Sequence, residues 1–147
     1  MSMFSLKFVF FFLQFLQIVN LTFITKSGYL SSNITIFGQF LCNSKPLSNQ
    51  KVLLVEYDKL DPNDLLNTTI TDKNGKYTIF GEEAEFHGME PILCLKHDCN
   101  SIGFVESWEI DKKYLDEVIE INEDFGKGNF IRKNYEKSNA ICKEFFK

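Results

Sequence analysis

The chain has 147 residues, enough for one domain with a buried core. Its 16 basic and 20 acidic residues leave a net charge of −4. The cations are scattered among the acids, which excludes the basic stripe of a nucleic-acid binder.

Residues 1–27 differ from the rest. Seven of the 16 phenylalanines precede Ile24, and the first acidic residue is Glu56. Lys7 supplies a positive start, Phe8 to Leu16 is an apolar run broken by Gln14, and Thr25 and Ser27 offer small residues for cleavage before Gly28. The alternative, an uncleaved anchor from Phe8 to Ile24, is short for a bilayer and carries Gln14, Gln17 and Asn20. The expectation is a signal peptide over 1–27, a domain over 28–133 and a polar C-terminal tail over 134–147. The product would be secreted and extracellular, with no transmembrane span after cleavage.

From Ile34 to Cys42 the residues alternate. Ile34, Ile36, Gly38, Phe40 and Cys42 share one face, and Thr35, Phe37, Gln39 and Leu41 the other. In the next run Val52 and Leu54 stand opposite Leu53, Val55 and Tyr57. Both runs are short, β-branched and bounded by Pro, Ser and Asn, which favours strands. Pro46, without an amide donor, belongs in the connection. The two runs read as a hairpin, which is marginal alone in water and needs partners. Leu65 to Thr71 and Lys76 to Phe80 flank Asp72-Lys73-Asn74-Gly75, whose Asn-Gly pair tolerates positive φ, and read as a second hairpin. Gly81 to Gly88 is an acidic connection. Pro91 to Cys99 and Phe104 to Ile110 are further strands. Tyr114 to Ile121 fits a helical turn or a strand end, and Asn129 to Arg132 a short last strand. Seven or eight short strands with frequent turns predict an all-β fold, a two-sheet antiparallel β-sandwich.

The four cysteines, Cys42, Cys94, Cys99 and Cys142, contain no CxxC, which argues against zinc or a redox motif. Read as secretory cysteines they predict disulfides, with three pairings open. Asn33-Ile34-Thr35 and Asn67-Thr68-Thr69 are glycosylation sequons.

Several stretches together carry a family resemblance. They are Gly38-Gln39-Phe40-Leu41-Cys42 with Lys45-Pro46, Thr71-Asp72 with Gly75, Tyr77, Ile79 and Gly81, and above all Pro91-Ile92-Leu93-Cys94-Leu95-Lys96-His97-Asp98-Cys99. Ile110 to Leu115 and Phe125-Gly126 extend the pattern. In this order they resemble the nematode transthyretin-like family. The resemblance implies a secreted transthyretin-like sandwich and supplies no reaction. It also implies that Cys42 pairs with Cys142, leaving Cys94 and Cys99 uncertain. Those two face opposite sides of one strand, so a bond between them needs a bend. The family's usual cysteine after the His-Asp-Cys strand is missing between Ser101 and Trp108, and Cys94 is extra.

An enzyme of the hydroxyisourate hydrolase type needs a base and a cation aimed at one substrate. This chain has His87, His97 and a single arginine, Arg132, and it ends Glu144-Phe145-Phe146-Lys147 rather than in the hydrolase signature. His97 and Asp98 are strand neighbours that point to opposite faces, so a structural histidine is the better reading. Glu82, Glu83, Glu85 and His87 match no calcium-loop spacing. The expectation is a non-enzymatic binding module without cofactor or metal. Its partner would be a small hydrophobic ligand, a lipid or a cell-surface protein. The alternatives are a hydrolase-like enzyme and a structural or host-directed secreted protein without a small ligand.

Overall fold

A computed structural model of the chain describes residues 30–60, 62–100, 103–126 and 136–147. The expected signal peptide, its cleavage site and the expected strand from Asn129 to Arg132 lie outside the described residues. Nine strands are present among the described residues: β1 (Leu30–Cys42), β2 (Lys45–Pro46), β3 (Lys51–Glu56), β4 (Asp64–Ile70), β5 (Lys76–Glu85), β6 (Pro91–His97), β7 (Phe104–Glu109), β8 (Val118–Glu120) and β9 (Glu123–Asp124). A 3₁₀ turn spans Lys112–Tyr114, and one helix, α1, spans Glu136–Phe145.

The strands form a two-sheet sandwich. In the first sheet β1 pairs antiparallel with β5, from Leu30 opposite Glu85 to Gln39 opposite Lys76, and with β2 at Leu41 opposite Pro46. The short strands β8 and β9 run parallel to β1 along its other edge. The second sheet has the order β4-β3-β6-β7 and is antiparallel throughout. The strand count exceeds the expected seven or eight because β2 and β9 are two residues each, too short for periodicity to register. The ambiguous stretch from Tyr114 divides into the end of the 3₁₀ turn and β8.

Neither expected hairpin forms. β1 and β3 lie in opposite sheets, as do β4 and β5. Asn43 and Ser44 both have positive φ (51° and 65°) and close a tight two-residue turn that folds β2, not β3, back onto β1. Pro46 sits on that edge pair, where its missing amide costs nothing. The Asp72–Gly75 turn keeps its expected chemistry: Asp72 Oδ1 accepts from Asn74 N (2.8 Å) and Lys76 N (2.9 Å). It carries the chain from one sheet to the other, so the apolar faces meet across the core instead of lying side by side.

That core contains Ile34, Ile36 and Phe40 from β1, Val52 and Leu54 from β3, Tyr77 and Ile79 from β5, and Leu93 and Leu95 from β6. The Phe40 ring stacks on Tyr77 at 4.5 Å and on Trp108 at 5.4 Å. Gly38 is required in β1 because a Cβ there would collide with the Ile121 carbonyl, the chain passing directly over it.

A second apolar cluster lies on the outer face of the second sheet. Leu53, Val55, Ile92, Cys94 and Val105 are covered there by Ile141 and Cys142 of α1, with Tyr57, Phe145 and Phe146 around them. The segment expected as a polar tail is therefore helical from Glu136 to Phe145. Ser138, Ile141, Cys142 and Phe145 fall at i, i+3, i+4 and i+7, the spacing of one helical stripe. Ser107 Oγ meets Ser138 Oγ (2.9 Å) and Asn139 Oδ1 (2.6 Å) across the seam.

The disulfides correct the expected Cys42–Cys142 pairing. Cys42 is bonded to Cys99, and Cys94 to Cys142. The reason lies in where the two cysteines stand: Cys94 is within β6 on its outer face, and Cys99 is beyond the strand's end. Cys94 points outward to α1, whereas Cys99, in the turn after β6, reaches the end of β1 in the other sheet. Among the described residues no helix is long and apolar enough to cross a membrane.

Candidate functional site

A cleft of about 300 Å³ opens where β6 begins, β7 ends and α1 crosses the second sheet. Its apolar lining comes from Tyr57, Ile92, Ile110 and Ile141, and its polar lining from Lys59, Glu90, Glu109, Asp111, Lys112 and Lys137. Backbone bonds fix the sheet side: Tyr57 N donates to Glu90 O (3.1 Å) and Ile110 N to Pro91 O (3.0 Å), extending the β3–β6 and β6–β7 pairings. The helix side follows from its pitch, since Lys137 and Ile141 are four residues apart and share a face.

Charge at the rim is organised around Glu90. Its Oε1 lies 3.1 Å from both Lys59 Nζ and Lys112 Nζ. Partial burial works against its charge, but the two ammonium groups prevail and hold the carboxyl below the usual range. Lys112 Nζ also donates to His87 O (3.0 Å) and Gly88 O (3.1 Å), tying down the loop before β6. Lys137 is different. Its Nζ stands 3.8 Å from the centre of the Tyr57 ring. Tyr57, with smaller help from Glu109 and Glu90, raises its pKa, so it stays cationic. Among the described residues Lys137 makes no salt bridge with a carboxylate.

Under the rim lies Glu56, 2% exposed. Both its carboxylate oxygens lie within reach of the Glu90 amide, at 2.8 and 3.0 Å. Burial pushes its carboxyl up to about 7; the Glu90 amide opposes this, while Glu85, Asp58 and Glu90 add to it. An apolar cleft with a cation at its mouth suits a small molecule with an apolar body and an anionic end.

The sequence-predicted residues fall elsewhere. His97 is buried at the far end of β6 from the cleft, with Nδ1 accepting from Cys99 N (3.0 Å) and its ring 4.2 Å from that of Phe125. Asp98 accepts from Gly103 N (2.7 Å), so the two neighbours serve separate turns. His87 precedes β6 at its opposite end, and Arg132 lies outside the described residues. Among the described residues no three His, Cys, Asp or Glu are grouped to hold a metal ion. Asn33 and Asn67 are both exposed; Asn33 Nδ2 donates to Asp116 Oδ1 (3.0 Å) and Asn67 Nδ2 to Phe80 O (2.6 Å). Sequence reasoning missed the cleft because its walls come from four separated stretches. The one available signal was the unbroken Val52–Val55 run, which asks for cover on both faces.

Residues 37–113 match the profile of the Transthyretin-like family. Transthyretin-like protein 16 of Caenorhabditis elegans is 47% identical over 68 residues, 46% of this chain and 52% of that protein. Transthyretin-like protein 46 is 36% identical over 69 residues, 46% of this chain and 38% of that protein. Transthyretin-like protein 1 is 34% identical over 82 residues, 51% of this chain and 52% of that protein. The chain thus spans about half, or less, of the length of these relatives. The profile covers β2 to β7 and the second half of β1, from Phe37 on; α1, with Lys137 and Ile141, lies beyond it.

Proposed function

The chain belongs to the transthyretin-like family, and from that membership we propose that it is a secreted, non-enzymatic binding module. Its ligand is a small amphipathic molecule with an anionic end, held in the cleft beside α1. The observation that carries this reading is Lys137, poised over Tyr57 above an apolar lining of Ile92, Ile110 and Ile141. Lys59 and Lys112 are already engaged by Glu90, so among the described residues lining the cleft Lys137 is the cation available to a carboxylate. The cleft volume suits a short acyl chain or a single aromatic ring system, at the lower end of ligand pockets. Secretion is supported by the leader-like composition of residues 1–27 and by four cysteines engaged in two disulfides. The non-enzymatic part is supported by the placement of His87 and His97 at opposite ends of β6.

Titration with octanoate, octanol and octylamine, followed by heteronuclear NMR, tests the ligand class. Octanoate is expected to shift Ile110 and Ile141 resonances at lower concentration than octanol, with octylamine weakest. Equal response to all three, or none, removes the anionic-ligand reading. Intact mass of the exported protein is expected to begin near Gly28, and export with residues 1–27 retained contradicts the cleaved leader. Hydroxyisourate turnover above background contradicts the non-enzymatic reading.

A further inference from the structure

Among the described residues nothing covers the outer face of the first sheet, which is apolar at its centre. Phe37, Phe80 and Val118 are 38%, 44% and 65% exposed. Their positions are set by register: Thr35 of β1 lies between Phe80 of β5 and Val118 of β8, with Phe37 two residues on. Asn33 stands on this same face, two residues before Thr35, and its side chain is exposed. Phe80 and Val118 are thus its diagonal neighbours, on the order of 7–8 Å away. Asn33-Ile34-Thr35 is a sequon, and both its polar side chains project from the face that carries the patch.

We propose that Asn33 carries an N-linked oligosaccharide whose innermost sugars lie across this face, with the first ring seated on Phe80. The inference rests on the secretion reading above. The donor is a polyisoprenyl-pyrophosphate oligosaccharide. Asn33 Nδ2 forms a bond to the sugar C1, the C1–O bond to pyrophosphate breaks, and the proton lost by Nδ2 is taken up by the leaving pyrophosphate. One N–H stays on Nδ2; the bond to Asp116 Oδ1, which turns the amide toward the β8 edge, gives way as the first sugar settles over Phe80, while the Asn33 backbone amide keeps its own bond to Asp116. The C–H face of an N-acetylglucosamine ring is flat and apolar, which suits the exposed Phe80 ring. Phe37 lies four residues from Asn33, about 13 Å along the strand, within reach of a second sugar. The glycan would shield an apolar patch that otherwise invites association. Asn67 has a different setting: it stands on β4, and its Nδ2 braces the backbone of β5 at Phe80 O.

The test is expression of the full chain in a eukaryotic secretory host, with peptide mapping of both sequons. The wild-type glycoform, the same protein trimmed to one sugar, and Thr35→Ala are then compared by apolar-dye binding and sedimentation. Thr35→Ala removes the acceptor sequence while keeping Asn33 and its Asp116 bonds. Asn33 is expected to be occupied. The one-sugar form should bind dye as weakly as the full glycoform, Thr35→Ala severalfold more strongly with self-association, and Phe80→Ser should erase that difference. Secreted protein with Asn33 bare, or Thr35→Ala matching the glycoform in both readouts, overturns this inference alone. Retention of residues 1–27 with both sequons bare overturns it together with secretion.

Discussion

The two sheets share one core but meet different surroundings on their outer faces. In β3 every residue from Val52 to Glu56 is buried, without alternation, because α1 covers the side that β1 does not. In β1 burial alternates from Ser32 to Phe40, and Thr35, Phe37 and Gln39 reach toward solvent. An alternating strand reports one packed face, and an unbroken apolar strand reports two. The second sheet therefore needs α1 as a third layer, and the first turns of that helix form one wall of the cleft.

The disulfides give the largest test of this contrast. They enclose similar spans, 48 and 57 residues, so a chain-entropy argument assigns each roughly 4 kcal/mol. Their structural consequences should differ. Cys94→Ala with Cys142→Ala is expected to release α1, lowering helical circular dichroism and abolishing ligand-induced shifts at Ile110. Cys42→Ala with Cys99→Ala should lower the urea midpoint comparably and leave the helical signal intact. Equal helix loss in both would break the distinction.

Point substitutions on the two outer faces come next. Leu53→Ala, under α1, should cost about 2–5 kcal/mol in urea unfolding, because it opens a cavity among fully buried neighbours. Phe37→Thr, on the other sheet's outer face, should cost less, about 1–2 kcal/mol in the same assay on protein made without glycan, because Phe37 is 38% exposed. Similar losses would mean that the first sheet is covered as well.

Glu56 tests the covered side through pH. Its folded carboxyl titrates near 7 against 4.5 for the free group, so between those values the folded state holds a proton that the unfolded chain releases. Stability should be highest at and below pH 4.5, as far as this residue is concerned, fall as pH rises to about 7, and level off above. The full loss is up to about 3 kcal/mol. Glu56→Gln should flatten that slope when urea midpoints are compared from pH 5 to 8. The smallest effect is at the cleft mouth: Lys137→Gln should weaken octanoate binding roughly fivefold, the scale of one exposed charge contact, and leave octanol unchanged.

Much of the architecture was legible along the chain. Alternation marked β1 and Asn-Gly marked the turn at Gly75, whereas the opposite facing of Cys94 and Cys99 argued only against a bond between those two and left their partners open. The assignment of strands to sheets was not, because an apolar face is equally buried beside a neighbour or across from one. The helix was hidden by its polar residues, although Ile141, Cys142 and Phe145 hold the stripe. The candidate cleft was not legible at all, since Tyr57, Glu90, Ile110 and Lys137 meet only after folding.

By itself the sequence determined that this chain makes an all-β sandwich of the transthyretin-like family, because strand period, turn residues and family motifs are properties of neighbouring positions. Only the tertiary structure decided which strands share a sheet, which cysteines join, and that a helix closes the second sheet and borders a cleft. Those outcomes depend on contacts between residues tens of positions apart, and local spacing does not encode them.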